Sequence, residues 1–195
     1  MNFIALDFET ANPNRSSICS VGLAVVRNGK IIESEHIYVR PTPDWYHGYN
    51  TALHGISDGH TRDQPAFRTL WKELKPYFQN QTIIAHNAAF DLSVLRYALD
   101  ESGLRYPDLE YHCSYRLSKE TLNLQSHKLN EVSKHFRIKL NHHDAESDAR
   151  ASALIALRLM EKFKADSLEE LSAILGFRIG TLRGGPNQYT SYSRI

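Results

Sequence analysis

Short apolar runs dominate the first forty positions of the chain, and longer periodic stretches follow. Ile4 to Phe8, Ser20 to Val26 and Ile31 to Val39 are rich in β-branched and aromatic residues and predict three strands. Asn28-Gly29 separates the second run from the third. Both residues tolerate the positive φ of a tight turn, so a hairpin is expected there. Arg40 to Gln64 is expected as a long polar loop carrying aromatics and histidines. Pro65 then opens a helix reaching about Phe78, since proline suits a first helical turn.

Thr82 to Ala85 predicts a short buried strand, followed by a helix from Ala88 to Glu101 that stops near Gly103. Leu92, Leu95 and Leu99 recur at i, i+3 and i+7 in it, which is a core-facing stripe. A fifth strand is expected at Glu110 to Ser114, then helices at Tyr115 to Thr121, Lys128 to Phe136 and Ala145 to Phe163. Ala149, Ala153 and Ala156 line one side of the last, and small side chains there let a helix approach a sheet closely. Ser167 and Glu170 have the spacing of a capping box and predict a short helix ending at Leu175. Hairpin strands followed by strand–helix crossovers give an α/β chain with a mixed five-stranded sheet flanked by helices.

Size and charge narrow the function. At 195 residues there is enough chain for one cored domain with at most a small appendage. No apolar run approaches the roughly 20 residues of a membrane helix. No basic segment followed by an apolar one precedes the first strand, so a secretory signal is not expected and a cytoplasmic location is. Cys19 and Cys113 have no metal spacing and are expected as reduced, buried thiols. The formal net charge of +1 argues against a protein that coats duplex DNA and favours a local cleft holding a few nucleotides.

Three separated patterns carry the chemistry: Asp7-Phe8-Glu9-Thr10, His86-Asn87-Ala88-Ala89-Phe90-Asp91 and His143-Asp144-Ala145-Glu146-Ser147-Asp148. Asp7 and Glu9 lie at i and i+2 of a strand, so their side chains share a face with Cα atoms roughly 6.5 Å apart. Carboxylates so placed can converge on a hard cation such as Mg²⁺, which takes oxygen ligands. The histidines alone suggest less. His142-His143-Asp144 has the His-Asp doublet of another class of metal phosphohydrolases, but His112, His127 and His135 do not complete that class's set. A zinc site built on the paired histidines would leave the acids unexplained.

Taken together and in order, the patterns resemble the DnaQ-like DEDDh family of 3′→5′ exonucleases, which includes proofreading subunits of bacterial polymerases. The resemblance runs from about Asn2 to Lys162. It implies a ribonuclease H-like fold, an exonuclease domain over residues 1–165, and a C-terminal helix and tail over 166–195. It further implies two Mg²⁺ or Mn²⁺ ions. Asp7 would bridge both, Glu9 and Asp148 would complete one site, and Asp91 would act on the other through water. His143, five residues before Asp148, would be the general base, rather than His142. Thr10 would hold the terminal sugar's 3′ oxygen. Leu53-His54-Gly55-Ile56-Ser57 resembles the family's substrate loop, with His54 near the substrate and Ile56 beside the terminal base. His86 and Asn87, at a strand–helix junction, would brace the turn or touch substrate.

The substrate so implied is the 3′ end of single-stranded or frayed DNA, with nucleoside monophosphates as product. An exoribonuclease on the same fold, or a polymerase-associated nucleic-acid-binding module, are the alternatives. Where many family members place a glycine soon after the first acidic pair, this chain reads Ala11-Asn12-Pro13-Asn14. Trp45, Tyr46 and Tyr49 are expected either to stack bases or to pack their own loop. Arg178, Arg183, Arg194, Tyr189 and Tyr192 mark the tail as a nucleic-acid grip, or else as a disordered or partner-bound segment.

Overall fold

A computed structural model describes residues 1–185 and 187–195. Strands β1 (Phe3–Thr10), β2 (Ile18–Arg27) and β3 (Lys30–Tyr38) form an antiparallel meander. Asn28 and Gly29, with φ of 52° and 74°, make the turn between β2 and β3. β4 (Gln81–Ala85) joins β1 in parallel, and β5 (Leu109–Cys113) joins β4 in parallel.

The expected sheet of five strands is in fact one of seven. β7 (Gly180–Leu182) pairs antiparallel with β5, and β8 (Tyr189–Thr190) pairs with β7, giving the order β3-β2-β1-β4-β5-β7-β8. Two further segments, β6 (Phe177–Arg178) and β9 (Ser193–Arg194), pair with each other. These strands hold two or three residues each, too few for a period to register in sequence. The tail is therefore folded onto the sheet edge. Gly180 sits opposite Tyr111, and a Cβ there would come within 2.3 Å of the tyrosine ring, so any side chain at this position would have to displace that ring.

The predicted loop at 40–64 also carries structure, in α1 (Gly48–His54) and α2 (Asp58–Thr61). Each is too short to show an apolar stripe. The helix expected from Pro65 begins two residues later as α3 (Phe67–Leu74) and tightens into a 3₁₀ turn at Lys75–Tyr77. Pro76 lies in that turn and lacks the N–H that would continue an α-helix. The remaining helices are α4 (Ala88–Glu101), α5 (Ser114–Thr121), α6 (Leu129–His135), α7 (Ala145–Phe163) and α8 (Leu168–Ile174).

The core lies around β1 and β2, where Phe3, Ile4, Leu6, Phe8, Ile18, Leu23 and Val26 are essentially inaccessible. Each such side chain contributes about 1.5–3 kcal/mol of burial energy. α7 lies along β1, β2 and β3 through its alanine stripe, with Ala149, Ala153 and Ala156 fully buried. The closest approach is at Gly22, where a Cβ would fall 1.8 Å from the Ala145 carbonyl oxygen. Gly22 is the ladder partner of Asp7. The first turn of α7 is thus brought down beside the first acidic pair.

Candidate active site

Four carboxylates reach one cleft from three elements. Asp7 and Glu9 come from β1, just before a register shift between Glu9 and Thr10 ends the regular ladder. Asp91 stands in the first turn of α4. β4 pairs with β1 only at Ile4 and Ala5, leaving the amide of Phe8 beyond that ladder. Asp91 Oδ1 accepts this N–H at 3.1 Å, which ties α4 to β1. Asp148 stands in the first turn of α7, whose N-cap Asp144 accepts the Ser147 N–H at 2.9 Å.

The histidines reach the cleft through a strained turn, since His143 has a φ of 70°. A side chain there favours the left-handed region only when its surroundings fix it. Asp148 supplies that constraint: its Oδ2 accepts the His143 backbone N–H at 3.1 Å and lies 2.9 Å from His142 Nδ1. The two imidazoles stack with centroids 3.9 Å apart, and His143 Nδ1 stands 3.9 Å from Glu9 Oε1. Spacing sets His142 aside, yet it touches Asp148. Nothing in a six-residue separation across a turn reveals that contact.

The electrostatics point to a cation. Burial, then the carboxylates of Asp91 and Glu9, hold Asp7 well above the ordinary range. Burial, followed by Asp148, raises Glu9 to about 8. Burial raises Asp91 to about 7 against the Phe8 hydrogen bond, and it raises Asp148 against the pull of His142. Such a cluster cannot be fully ionised at neutral pH without positive charge. Ligand atoms of Asp7, Glu9 and Asp148 all lie within 4.8 Å of one another, and Asp148 Oδ1 is buried with no hydrogen-bond partner among the described residues. An oxygen-only donor set with an orphaned carboxylate oxygen fits a divalent metal ion. Burial and the neighbouring His142 lower His143, so its imidazole is neutral near pH 7.

The open cleft measures about 510 Å³, and besides these residues it is walled by Phe90, Tyr115, Lys128 and Leu53. Thr10, the next residue after Glu9, is buried and does not itself line the cleft; it is held by residues of the following segment. Asn50 Nδ2 donates to the Thr10 carbonyl at 2.8 Å, and His54 Nε2 lies 3.2 Å from the same oxygen. His54 Nδ1 accepts the Ile56 N–H at 3.0 Å, so its proton resides on Nε2 and is donated to Thr10. His54 thereby braces Thr10. Ile56 does not line the cleft; it is buried with Ala11 and Cys19 beneath Tyr38 and Tyr46. The apolar side chain of this segment that does line it is Leu53, three residues earlier near the end of α1.

His86 and Asn87 both line the cleft and differ in freedom. His86 is clamped, with Nε2 2.8 Å from the His127 carbonyl and Nδ1 2.9 Å from Ser114 Oγ, and burial lowers it to about 4. Asn87 adopts φ 71° as the N-cap of α4, makes no side-chain capping bond and stays exposed. At the departure from the family pattern, Asn12 Oδ1 accepts the Asn14 N–H and Asn12 Nδ2 donates to the Trp45 carbonyl at 2.8 Å. Side-chain bonds close this loop without a glycine. Of the loop aromatics, Tyr46 bonds Thr61, while Trp45 and Tyr49 are exposed.

Residues 4–156 match the model of the exonuclease (RNase_T) family. The chain belongs to this family, as a domain homologous to 3′→5′ exonucleases, and its mixed sheet is ribonuclease H-like. It is 28% identical over 167 residues to the 3′-5′ exonuclease DinG of Bacillus subtilis, covering 83% of this chain and 18% of that one. It is also 28% identical over 176 residues to the PolC-type DNA polymerase III of Thermotoga petrophila, covering 88% and 13%. The chain therefore spans less than a fifth of the length of either relative. Among solved structures, exonuclease X in complex with 5′-overhanging duplex DNA superposes with a TM-score of 0.71 at 22% identity, over 89% of this chain and 99% of that one.

Proposed function

We propose that this chain hydrolyses the terminal phosphodiester bond at the 3′ end of single-stranded or frayed DNA and releases nucleoside monophosphates. The observation that carries this reading is the convergence of Asp7, Glu9, Asp91 and Asp148 with His143 in one cleft. Asp7, Glu9 and Asp148 would hold one Mg²⁺ or Mn²⁺ ion, and Asp7 with Asp91 a second. Bound there, divalent ions activate water and stabilise the charge that develops on the phosphoryl oxygens.

The chain's own groups supply the rest. His143 is neutral near pH 7 and hinged at the cleft mouth, so it takes the proton of the attacking water. Asp148 holds that hinge through the His143 amide. Thr10, braced by Asn50 and His54, contacts the 3′-terminal sugar, and Leu53 packs beside its base. His86 fixes the wall of the cleft as a neutral brace, and the exposed Asn87 side chain is placed for a substrate contact.

The fold has polymerase-containing relatives, and we extend the proposal to association with a polymerase in the cytoplasm. The buried, unpaired thiols of Cys19 and Cys113 fit a reducing compartment.

The test compares 5′-labelled DNA and RNA oligonucleotides with Mg²⁺ or Mn²⁺. Stepwise shortening that a 3′ block stops and a 5′ block does not is the expected result. Internal cutting of circular single strands would refute it, and faster loss of RNA would transfer the activity to an exoribonuclease.

A further inference from the structure

A second, more enclosed cavity of about 240 Å³ adjoins the catalytic cleft, and Asn87 and Tyr115 line both. Its far wall is the C-terminal segment, through Tyr189 and Ser191, and its cations are Arg96 of α4 and Arg116 of α5. Neither guanidinium has a carboxylate within ion-pair distance among the described residues, whereas Arg158, Arg183 and Arg194 are each paired to a glutamate. The Arg96 guanidinium lies 3.7 Å from the centroid of the Tyr189 ring. Stacking engages its face and leaves the N–H edge available to an anion. Arg116 is exposed.

We infer that this cavity binds a backbone phosphate of the nucleic acid, away from the bond being cut. The inference rests on the proposed nuclease reading and deepens it. Beyond the metal ions proposed for its four carboxylates, the catalytic cleft offers a polyanion only one lysine, Lys128, so the remaining backbone phosphates need cations outside it. Two unpaired arginines one wall away supply them. Arginine is suited to phosphate because its fork presents paired donors to two oxygens. The folded tail then has a purpose beyond completing the sheet, because it places Tyr189 under Arg96.

The experiment uses Arg116→Glu, whose exposed side chain has no ion-pair partner among the described residues, with Arg96→Gln as a second variant and Arg158→Glu as a remote charge control. Turnover is measured on a single-stranded oligonucleotide, on a 5′-overhanging duplex, and on the p-nitrophenyl ester of thymidine 5′-monophosphate, which is too small to reach the second cavity. The kcat/KM ratio of oligonucleotide to ester should fall about tenfold in Arg116→Glu, as expected for one charge-assisted contact. It should hold in Arg158→Glu. A fall on the single strand assigns the phosphate to the cleaved strand, and a fall confined to the duplex assigns it to the complement. Binding of a fluorescein-labelled single strand in excess chelator, followed by anisotropy, gives a readout free of turnover. The slope of log K against log salt should drop by about 0.7 for each phosphate that the variant no longer neutralises. An unchanged ratio and slope in both arginine variants would overturn the inference. Failure of the wild-type protein to cut any substrate, with the slope still reduced in the variants, would instead remove the nuclease reading and leave the phosphate site standing.

Discussion

The Ala145 carbonyl rests on the bare backbone of Gly22, and Gly22 is the strand partner of Asp7. One missing side chain thus sets the distance between the first and third acidic patterns. Any Cβ at Gly22 requires α7 to withdraw, because it would meet backbone rather than a flexible side-chain tip. Gly22→Ala should cost about 1–3 kcal/mol of stability, as overpacking does. It should also reduce activity by about 10²-fold, since Asp148 moves with the helix. Thermal melts and oligonucleotide turnover on the same preparation check both figures. A variant that melts early yet turns over normally would show that α7 need not sit so close.

Loss of Asp7 should separate catalysis from folding. Asp7 is buried among like charges, so Asp7→Asn relieves repulsion while keeping the shape. The metal-free variant is expected to melt at or above the wild-type temperature and to have no measurable turnover. Mg²⁺ at 100 times its dissociation constant should stabilise the wild type by about 2.7 kcal/mol, and much of that increment should vanish in the variant. Residual turnover in excess chelator would contradict a metal-held site.

Much of this site is legible in the sequence because its acids occupy regular positions. The i, i+2 pair Asp7 and Glu9 needs only a strand, and Asp91 and Asp148 need only the first turns of two helices whose starts are readable. Legibility ends where tertiary contact decides. Leu53, near the end of α1, and Ile56, just beyond it, are both apolar, and only packing against Ala11 and Cys19 determines which is buried. Spacing passes over His142, although the left-handed turn at His143 folds it back onto Asp148. β7 and β8 are held by pairing to a distant edge and by Gly180 against Tyr111, so no local pattern announces them.

Metal-free stability should fall as pH rises. Glu9 is raised from 4.5 to about 8 and Asp91 from 3.8 to about 7 by burial, above their values in the unfolded chain. The folded state then holds protons that the unfolded state has released. Its stability from these groups is complete below the unfolded values and is lost as pH climbs through the folded ones. In chelator, the melting temperature should decline between about pH 4 and 8. Divalent metal should flatten or reverse that decline, because it favours the ionised carboxylates. A melting temperature that climbs through this interval in chelator would mean the acids are paired with cationic groups instead.

The two stacked histidines should differ in kind. His143→Ala removes the base and should lower kcat by about 10²–10⁴-fold while leaving metal-induced stabilisation in place. His142→Ala removes one of two bonds to Asp148 Oδ2, and the His143 amide still holds that oxygen at 3.1 Å. The drop in kcat should be smaller there, and the change should appear chiefly as weaker metal binding, because the carboxylate loses part of its orientation. Activity of the wild type should also decline as pH falls through the lowered His143 value, since only the neutral imidazole accepts a proton. The declining acid limb should disappear in His143→Ala and persist in His142→Ala. Turnover profiles at saturating metal, paired with metal titrations of the melting temperature, separate the two roles. A larger kcat loss at His142 than at His143 would reverse the assignment of the base.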